Sequence, residues 1–281
     1  MSTEIVAVTP EAPEPTPAAE ETAPPKKRRR GWLIALVLVG VLVVLGVVGF
    51  VVGEAFAQQY ARDYVRERIV EVLQLPDDAR VDVDLGDGSI ILQALAGRVD
   101  TVDVHVPEGT FGELRGSVRL HAEGVPLEDA APVEALGVDF AVGADGLAAL
   151  TQGDDPEAAP TVELVDGEVA FSSEFELFGA TLPWGLSLEP SAAEGELVLS
   201  PTRLTIGDQV FESGVDDGSF LGQIAAVLLQ PQTLCVAAQV PQALVLADAA
   251  VEGSELVLSF SGDGAALGGA EFRELGTCPA G

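Results

Sequence analysis

Residues able to perform acid–base, nucleophilic or metal chemistry are few in most of this chain. The two histidines, His105 and His121, both fall on the polar side of predicted strands, and no third ligand stands at a spacing that suits a metal. The last lysine is Lys27, which excludes Schiff-base and lysine-base mechanisms from everything that follows it. These patterns predict solvent-facing histidines and no metal site.

Carboxylates are abundant, but their spacing predicts neither a catalytic pair nor a calcium site. Asp82, Asp84 and Asp87 lie close together, yet an EF-hand loop needs its glycine after the third acidic position. The sequence also lacks a P-loop, a G-x-S-x-G elbow, an H-E-x-x-H motif and a G-x-G-x-x-G turn. We therefore predict no catalytic residues, no metal and no cofactor, and we expect that the protein is not an enzyme.

The charge of the chain is strongly acidic and unevenly placed. It carries 45 acidic and 14 basic residues, for a net charge of −31 at pH 7. Residues 1–31 are neutral overall and the apolar run after them has no charge, so the whole net charge belongs to residues 54–281. Such a surface lacks the basic footprint that nucleic acid requires. It also disfavours lying flat on anionic lipid headgroups, so an anchor has to hold the domain to a membrane.

One uninterrupted apolar run predicts that anchor. Residues 32–53 read WLIALVLVGVLVVLGVVGFVVG, without a charged or amide side chain. A helix of roughly 20 residues crosses the hydrocarbon core of a bilayer. The five residues before the run's flanking glycine, Lys26 to Arg30, are all basic, and such residues favour the cytoplasmic side of a span. We predict a single transmembrane helix at 32–53 with the N-terminus inside the cell.

A cleaved signal peptide is the alternative interpretation of the same run. Ala55, Phe56 and Ala57 have the small-x-small pattern of a cleavage site. The run is longer than the apolar region of a typical signal peptide, and the tail before it is long, so an uncleaved anchor is favoured. In both cases residues 54–281 are predicted to be extracytoplasmic, at the cell membrane. Residues 1–31, rich in Pro, Ala and Glu, are predicted to be a disordered cytoplasmic tail.

The predicted export also bears on the oxidation state of the two cysteines, Cys235 and Cys278. Disulfides persist in oxidising compartments, where free thiols are uncommon. We predict a Cys235–Cys278 disulfide, with two unpaired thiols as the alternative.

The exported region begins with helical periodicity and continues with strand periodicity. Apolar residues at helical spacing predict an amphipathic helix from Phe56 to Pro76 that packs on the domain, with the membrane surface as the alternative partner. The residues of its stripe are Phe56, Tyr60, Tyr64, Val65, Ile69, Val72 and Leu73. From residue 81 onward apolar and polar residues alternate, which is typical of half-buried strands separated by Gly-rich turns.

Short helices are expected at residues 145–152 and 219–229. Because no βαβ rhythm is visible, we predict an α+β fold, mostly antiparallel β, arranged as a long meander with a few helices. Residues 153–160 are the best candidate for a break within it, or for a long loop between two halves of one sheet.

Several segments, in this order, carry a resemblance to a known family. They are GRVDTVDVHVPEG (97–109), VDFAVGADGLAALT (138–151), the stretch from Thr161 to Ile206, and TLCVAAQVPQALVLADAAVEGSELVLSFSGDG (233–264). Over roughly residues 54–281 the chain resembles the LmeA-like family of actinobacterial cell-envelope proteins. The resemblance implies a curved domain related to tubular lipid-binding domains, with phospholipid as the ligand.

The resemblance also directs attention to large apolar residues on two neighbouring predicted strands. As candidates for lining a groove that holds acyl chains we take Phe171, Phe175, Leu177, Trp184, Leu186 and Leu188. The alternative is that they fill a closed core, because alternation shows a dry face and not what covers it. The predicted function is a membrane-anchored, extracytoplasmic phospholipid-binding protein of the cell envelope. The alternative is a non-enzymatic interaction or scaffolding module for envelope or cell-wall assembly that binds no lipid.

Overall fold

The computed structural model describes residues 29–72, 75–76, 78–111, 114–128, 131–151, 159–177, 180–213 and 219–278. The chain divides into two compact units, residues 1–51 and residues 52–281. Most of the predicted tail, residues 1–28, lies outside the described residues. In the first unit the described element is the N-terminal part of a long helix that continues into the second unit.

Five α-helices occur in the described residues. They are α1 (Arg29–Val72), α2 (Ile90–Ala96), α3 (Ala144–Thr151), α4 (Phe220–Leu228) and α5 (Ala270–Arg273). The stretch Gly40–Glu67 of α1 is long and apolar enough to cross a membrane, with a hydropathy of 2.3 in its most apolar window. This apolar helix is consistent with a membrane anchor or with a signal sequence.

Twelve strands are present in the described residues, and they form two antiparallel sheets. They are β1 (Asp82–Asp84), β2 (Arg98–Phe111), β3 (Leu114–Pro126), β4 (Ala135–Gly143), β5 (Thr161–Val165), β6 (Glu168–Leu177), β7 (Ala180–Ala193), β8 (Glu196–Ile206), β9 (Gln209–Glu212), β10 (Gln232–Leu234), β11 (Val245–Glu252) and β12 (Glu255–Ser261). The first sheet has the order β1-β2-β3-β4-β12-β11. The second has the order β10-β8-β7-β6-β5, with β9 paired to β8. The mostly antiparallel α+β fold is confirmed.

The hairpins of the second sheet are set by short turns. The turn between β5 and β6 is Asp166-Gly167 and the turn between β7 and β8 is Glu194-Gly195, and all four residues have positive φ. Two consecutive residues with positive φ make the turn whose twist matches that of paired strands. Glycine adopts this conformation without steric cost, which explains its position in both turns.

The expected meander is interrupted. The chain passes from the first sheet to the second between α3 and β5, across the segment predicted as a break, and returns with β11 and β12. β12 pairs with β4 from Glu255–Gly143 to Ser261–Gly137. The two sheets contact each other where Leu197 of β8 packs with Leu246, Ala249 and Phe260 of the first sheet.

The C-terminal part of α1 packs on the first sheet, as predicted, but only Val65 and Ile69 of the predicted stripe residues with described side chains take part. Phe56, Tyr60 and Tyr64 are exposed, at 75%, 68% and 56%. Ala57 and Ala61, with three larger residues, pack instead against the buried cluster that contains Val104 and Val106; the three are Val65, Ile69 and Val70. Small alanine side chains allow a helix to approach a sheet closely, so the packed face is rotated away from the aromatic residues. The side chains of Val72 and Leu73 lie outside the described part of the chain.

The predicted disulfide between Cys235 and Cys278 is confirmed, with the two Cα atoms 5.8 Å apart. It joins the segment after β10 to the segment after α5. Two backbone hydrogen bonds support the same junction, from Gly276 N–H to the Val240 carbonyl at 3.0 Å and from Gln242 N–H to the Glu274 carbonyl at 2.9 Å.

Candidate functional site

One face of the β6–β7 hairpin is apolar along its length. Its register pairs Phe171 with Leu186, Phe175 with Leu182 and Val169 with Leu188. Paired residues of adjacent antiparallel strands project to the same face, and alternate residues along each strand do so as well. The predicted groove candidates with described side chains therefore share one face of the second sheet.

Two borders of this apolar face are covered by other elements. Ala225 and Leu229, in and directly after α4, pack with Leu204 of β8 and Phe211 of β9, and Leu186 and Ile206 contact that cluster. At the end of β7 away from the β6–β7 turn, Leu197 packs against the first sheet. Helix α4 begins at Phe220 because Ser219 caps it by accepting a hydrogen bond from Gly222 N–H at 2.8 Å.

Beside the α4 cluster, toward the β6–β7 turn, lies a region that we call the open strip, formed by Phe171, Phe175, Leu182 and Trp184. Phe175 is 40% exposed, and the other three side chains are half-buried. None of the four buried clusters formed by the described residues includes any of them. An apolar surface left partly open to water is the physical requirement for a hydrophobic ligand site.

The structure places the predicted site residues at different positions on this face. Phe171, Phe175 and Trp184 lie in the open strip, and Leu186 lies at its border with the α4 cluster. Leu188 is half-buried beside Val169. The backbone of Leu177 pairs with Ala180 at the end of the hairpin, and its side chain lies outside the described residues.

Two residues that the groove hypothesis did not include also belong to this surface. Leu182 pairs with Phe175, and Ile206 of β8 pairs with Trp184. The alternation of apolar residues along both strands already indicated that these two side chains face the same way as their neighbours. Only the register shows which candidates they pair with.

The open strip is free of charge, whereas the reverse face of the hairpin is acidic. Glu174 and Glu176 of β6 alternate with the strip residues and are exposed. The same face of β6 carries one hydroxyl, from Ser173, which lies between Phe171 and Phe175 and pairs with Trp184. A surface of this kind suits a hydrocarbon chain and gives no basis for bond-making chemistry.

A polar concavity of about 570 Å³ lies elsewhere, on the polar face of the first sheet. It includes Asp82, Asp84, Asp103, His105, Arg119, His121 and Asp139. Asp82, Asp84 and Asp103 therefore lie on a strand face, as the alternation of apolar and polar residues from residue 81 onward predicts. The described residues contain no group of three His, Cys, Asp or Glu side chains that could hold a metal ion.

His121 is an exposed, ion-paired residue within this concavity. Its Nδ1 lies 2.6 Å from Asp103 Oδ1 and its Nε2 lies 3.4 Å from Glu123 Oε1. Hydrogen bonding to Asp103, and then to Glu123, raises the pKa of His121 above its ordinary value. His105 differs, because it is half-buried and its Nδ1 is buried without a hydrogen-bond partner among the described residues. Neither geometry contains a nucleophile placed for activation.

Comparison with known proteins gives one match. The family model described as LmeA-like phospholipid-binding matches residues 52–261, which is well over half of the chain. It represents a lipid-binding family and not a known enzyme family. No curated protein and no solved structure matches the chain significantly.

Proposed function

Because the chain belongs to the LmeA-like phospholipid-binding family, we propose that it is a membrane-anchored, extracytoplasmic phospholipid-binding protein of the cell envelope. Acyl chains lie against the open strip while the headgroup remains in water. The observation that carries this proposal is the partial exposure of Phe171, Phe175 and Trp184 on an uncharged face that other elements cover only at two borders. Phospholipid is accordingly the partner, and the protein acts without catalysis.

Hydrocarbon burial supplies the driving force for binding in this proposal. Each buried CH₂ group contributes about 0.8 kcal/mol, so part of two acyl chains gives useful affinity without specific polar contacts. Curvature of the second sheet around the chains, as in tubular lipid-binding domains, is part of the proposal. Such curvature would place protein surface on both sides of an extended acyl chain, so that more of the acyl chain is removed from water.

The membrane arrangement is also part of the proposal. Residues 32–53 span the membrane, residues 1–31 remain in the cytoplasm and residues 54–281 lie outside. Two observations support this: the basic run Lys26 to Arg30 before the apolar helix, and the Cys235–Cys278 disulfide, which suits an oxidising compartment. A periplasmic or surface reporter fused after Gly281 should be active. Activity of a cytoplasmic reporter at the same position would contradict the orientation.

Lipid analysis of the purified domain tests the ligand. Residues 54–281 are expressed with an export signal, and bound lipid is measured by mass spectrometry. We expect phospholipid in the wild-type domain and its loss in Trp184→Asp. Since Trp184 is half-buried, water can reach the new carboxylate and the domain should stay folded by far-UV circular dichroism. In a closed core the same change buries an unpaired charge and should unfold the domain.

Val210→Asp is the matched control. Val210 lies on β9 of the same sheet, is 57% exposed, and pairs with Thr205, which projects from the opposite face to Leu204 and Ile206. This variant should keep both its fold and its lipid. A folded Trp184→Asp domain that still carries lipid would remove Trp184 from the site. A wild-type domain without lipid would favour the scaffolding function.

A further inference from the structure

Helix α2 is attached to α1 through a single carboxylate. The Ser89 hydroxyl donates a hydrogen bond to Glu54 Oε2, and the Ile90 N–H donates to Glu54 Oε1. Ser89 in turn caps α2 by accepting a hydrogen bond from Leu92 N–H at 3.2 Å. The first turn of α2 is therefore fixed beside Glu54.

The residue before Glu54 contacts the same helix. A Cβ atom placed on Gly53 would lie 3.8 Å from Cδ1 of Ile91, which is ordinary van der Waals distance. The start of α2 thus lies against two consecutive residues of α1, Gly53 and Glu54. These two positions are the last residue of the predicted span and the first residue after it.

The outward side of α2 exposes large apolar residues. Leu92 is 58% exposed and Leu95 is 81% exposed, and residues three apart lie on the same side of a helix. Leu127, 53% exposed, adjoins the end of α2, because its N–H donates a 2.9 Å hydrogen bond to the Gly97 carbonyl. We call Leu92, Leu95 and Leu127 the α2 patch.

Charge is absent from α2 in a domain that is otherwise strongly acidic. From Ser89 to Val99 the one charged residue is Arg98, which forms an ion pair with Glu134 at 2.9 Å. Acidic side chains would be repelled by anionic headgroups and costly to bury in lipid. This segment therefore meets the chemical requirements of a surface that enters a membrane interface, which most of the domain does not.

The position of Glu54 gives the depth at which α2 lies. A helix rises 1.5 Å per residue, so residues 32–53 span roughly 33 Å, slightly more than the roughly 30 Å hydrocarbon core. Gly53 and Glu54 then lie at the boundary between hydrocarbon and headgroups. We propose that the α2 patch inserts into this outer interface of the bilayer and forms a second membrane contact beside the anchor. The inference rests on the proposed anchor and does not require a lipid bound at the open strip.

The occupant is the bilayer because α2, which carries Leu92 and Leu95, begins at residues that are hydrogen-bonded to Glu54, directly after the proposed span. Transfer of leucine side chains from water to the interface is favourable, which is also what holds amphipathic helices on membranes. The anchor holds the patch near lipid permanently, so a small apolar surface is sufficient for stable contact. A second copy of the chain on the patch is the competing occupant, and the experiment distinguishes it.

Spin labels on the full-length protein in phosphatidylcholine vesicles test the proposal. Leu92→Cys and Leu95→Cys are labelled with a nitroxide without reduction, so that the Cys235–Cys278 disulfide remains intact. Collision with oxygen, which concentrates in lipid, is compared with collision with a water-soluble nickel chelate. Val210→Cys is the aqueous control, since its 57% exposure matches that of Leu92, and Val44→Cys in the span is the lipid control.

We expect the labels at 92 and 95 to collide more with oxygen than with the chelate, as at 44 and opposite to 210. Labels at 92 and 95 that collide with the chelate as readily as the label at 210 would overturn the proposal. Labels protected from both reagents would also overturn it and would indicate a protein partner. An aqueous result at 44 would show instead that the proposed anchor is wrong, independently of lipid at the open strip.

Discussion

Removal of the disulfide should lower the stability of the exported domain by a measurable and calculable amount. Cys235 and Cys278 are separated by 43 positions in sequence. Cross-linking a loop of that length removes about 4 kcal/mol of chain entropy from the unfolded state at 25 °C, and measured effects usually fall below the ideal. Two other backbone hydrogen bonds hold the same junction, so the folded state should survive the loss. We predict that Cys235→Ser combined with Cys278→Ser lowers the free energy of unfolding by about 2–4 kcal/mol.

Denaturant unfolding of residues 54–281 measures this difference. The midpoint should fall, and the dependence of the free energy on denaturant should not decrease, because the unfolded chain becomes less compact. Wild-type domain in reductant is the control and should match the double variant. Thiol labelling of the denatured wild type should find no free thiol before reduction. A double variant with the wild-type midpoint would refute the reasoning, because the disulfide would then not restrict the unfolded chain.

Two further predictions concern Glu54 and His121. Glu54→Gln should speed hydrogen exchange at the amides of residues 90–92, measured by mass spectrometry. The control variant Glu163→Gln should leave this exchange unchanged. Unchanged exchange in Glu54→Gln would contradict the role of the Glu54 hydrogen bonds in holding the start of α2. The raised pKa of His121 means that its ion pairs favour the folded state at acid pH, a contribution that is lost as pH rises through the raised pKa. Asp103→Asn should shift the NMR titration midpoint of His121 downward, and an unmoved midpoint would show that Asp103 does not hold it.

Much of the secondary structure was predictable because it depends on local pattern. Alternating residues gave β2, β3, β6 and β7, and the helices expected at residues 145–152 and 219–229 are α3 and α4. Helix α2 was missed because the one polar residue among its seven, IILQALA, is the buried Gln93, so no polar face reveals a helical period. It depends on Glu54, 36 positions before Ile90, and contacts at that distance leave no local signal.

The candidate site shows the same division between local and distant information. That Phe171, Trp184 and Leu186 share one face follows from strand alternation, which the sequence displays directly. How much of that face is covered depends on where α4 and the returning strands β11 and β12 pack. The packing face predicted for α1 was only partly correct for a related reason, since Val65 and Ile69 pack on the sheet and the aromatic residues do not. The aromatic residues Phe56, Tyr60 and Tyr64 dominated the periodic pattern, whereas close approach to the sheet selected the alanines.

The central claim, that acyl chains lie against the open strip, is tested most directly by photocrosslinking. Full-length protein in membranes is irradiated with a phospholipid that carries a diazirine near the end of one acyl chain, and adducts are located by mass spectrometry. We predict adducts on β6 and β7, around Phe171, Phe175 and Trp184, that disappear in Trp184→Asp and remain in Val210→Asp. Adducts confined to residues 32–53, with none on β6 or β7, would contradict the claim.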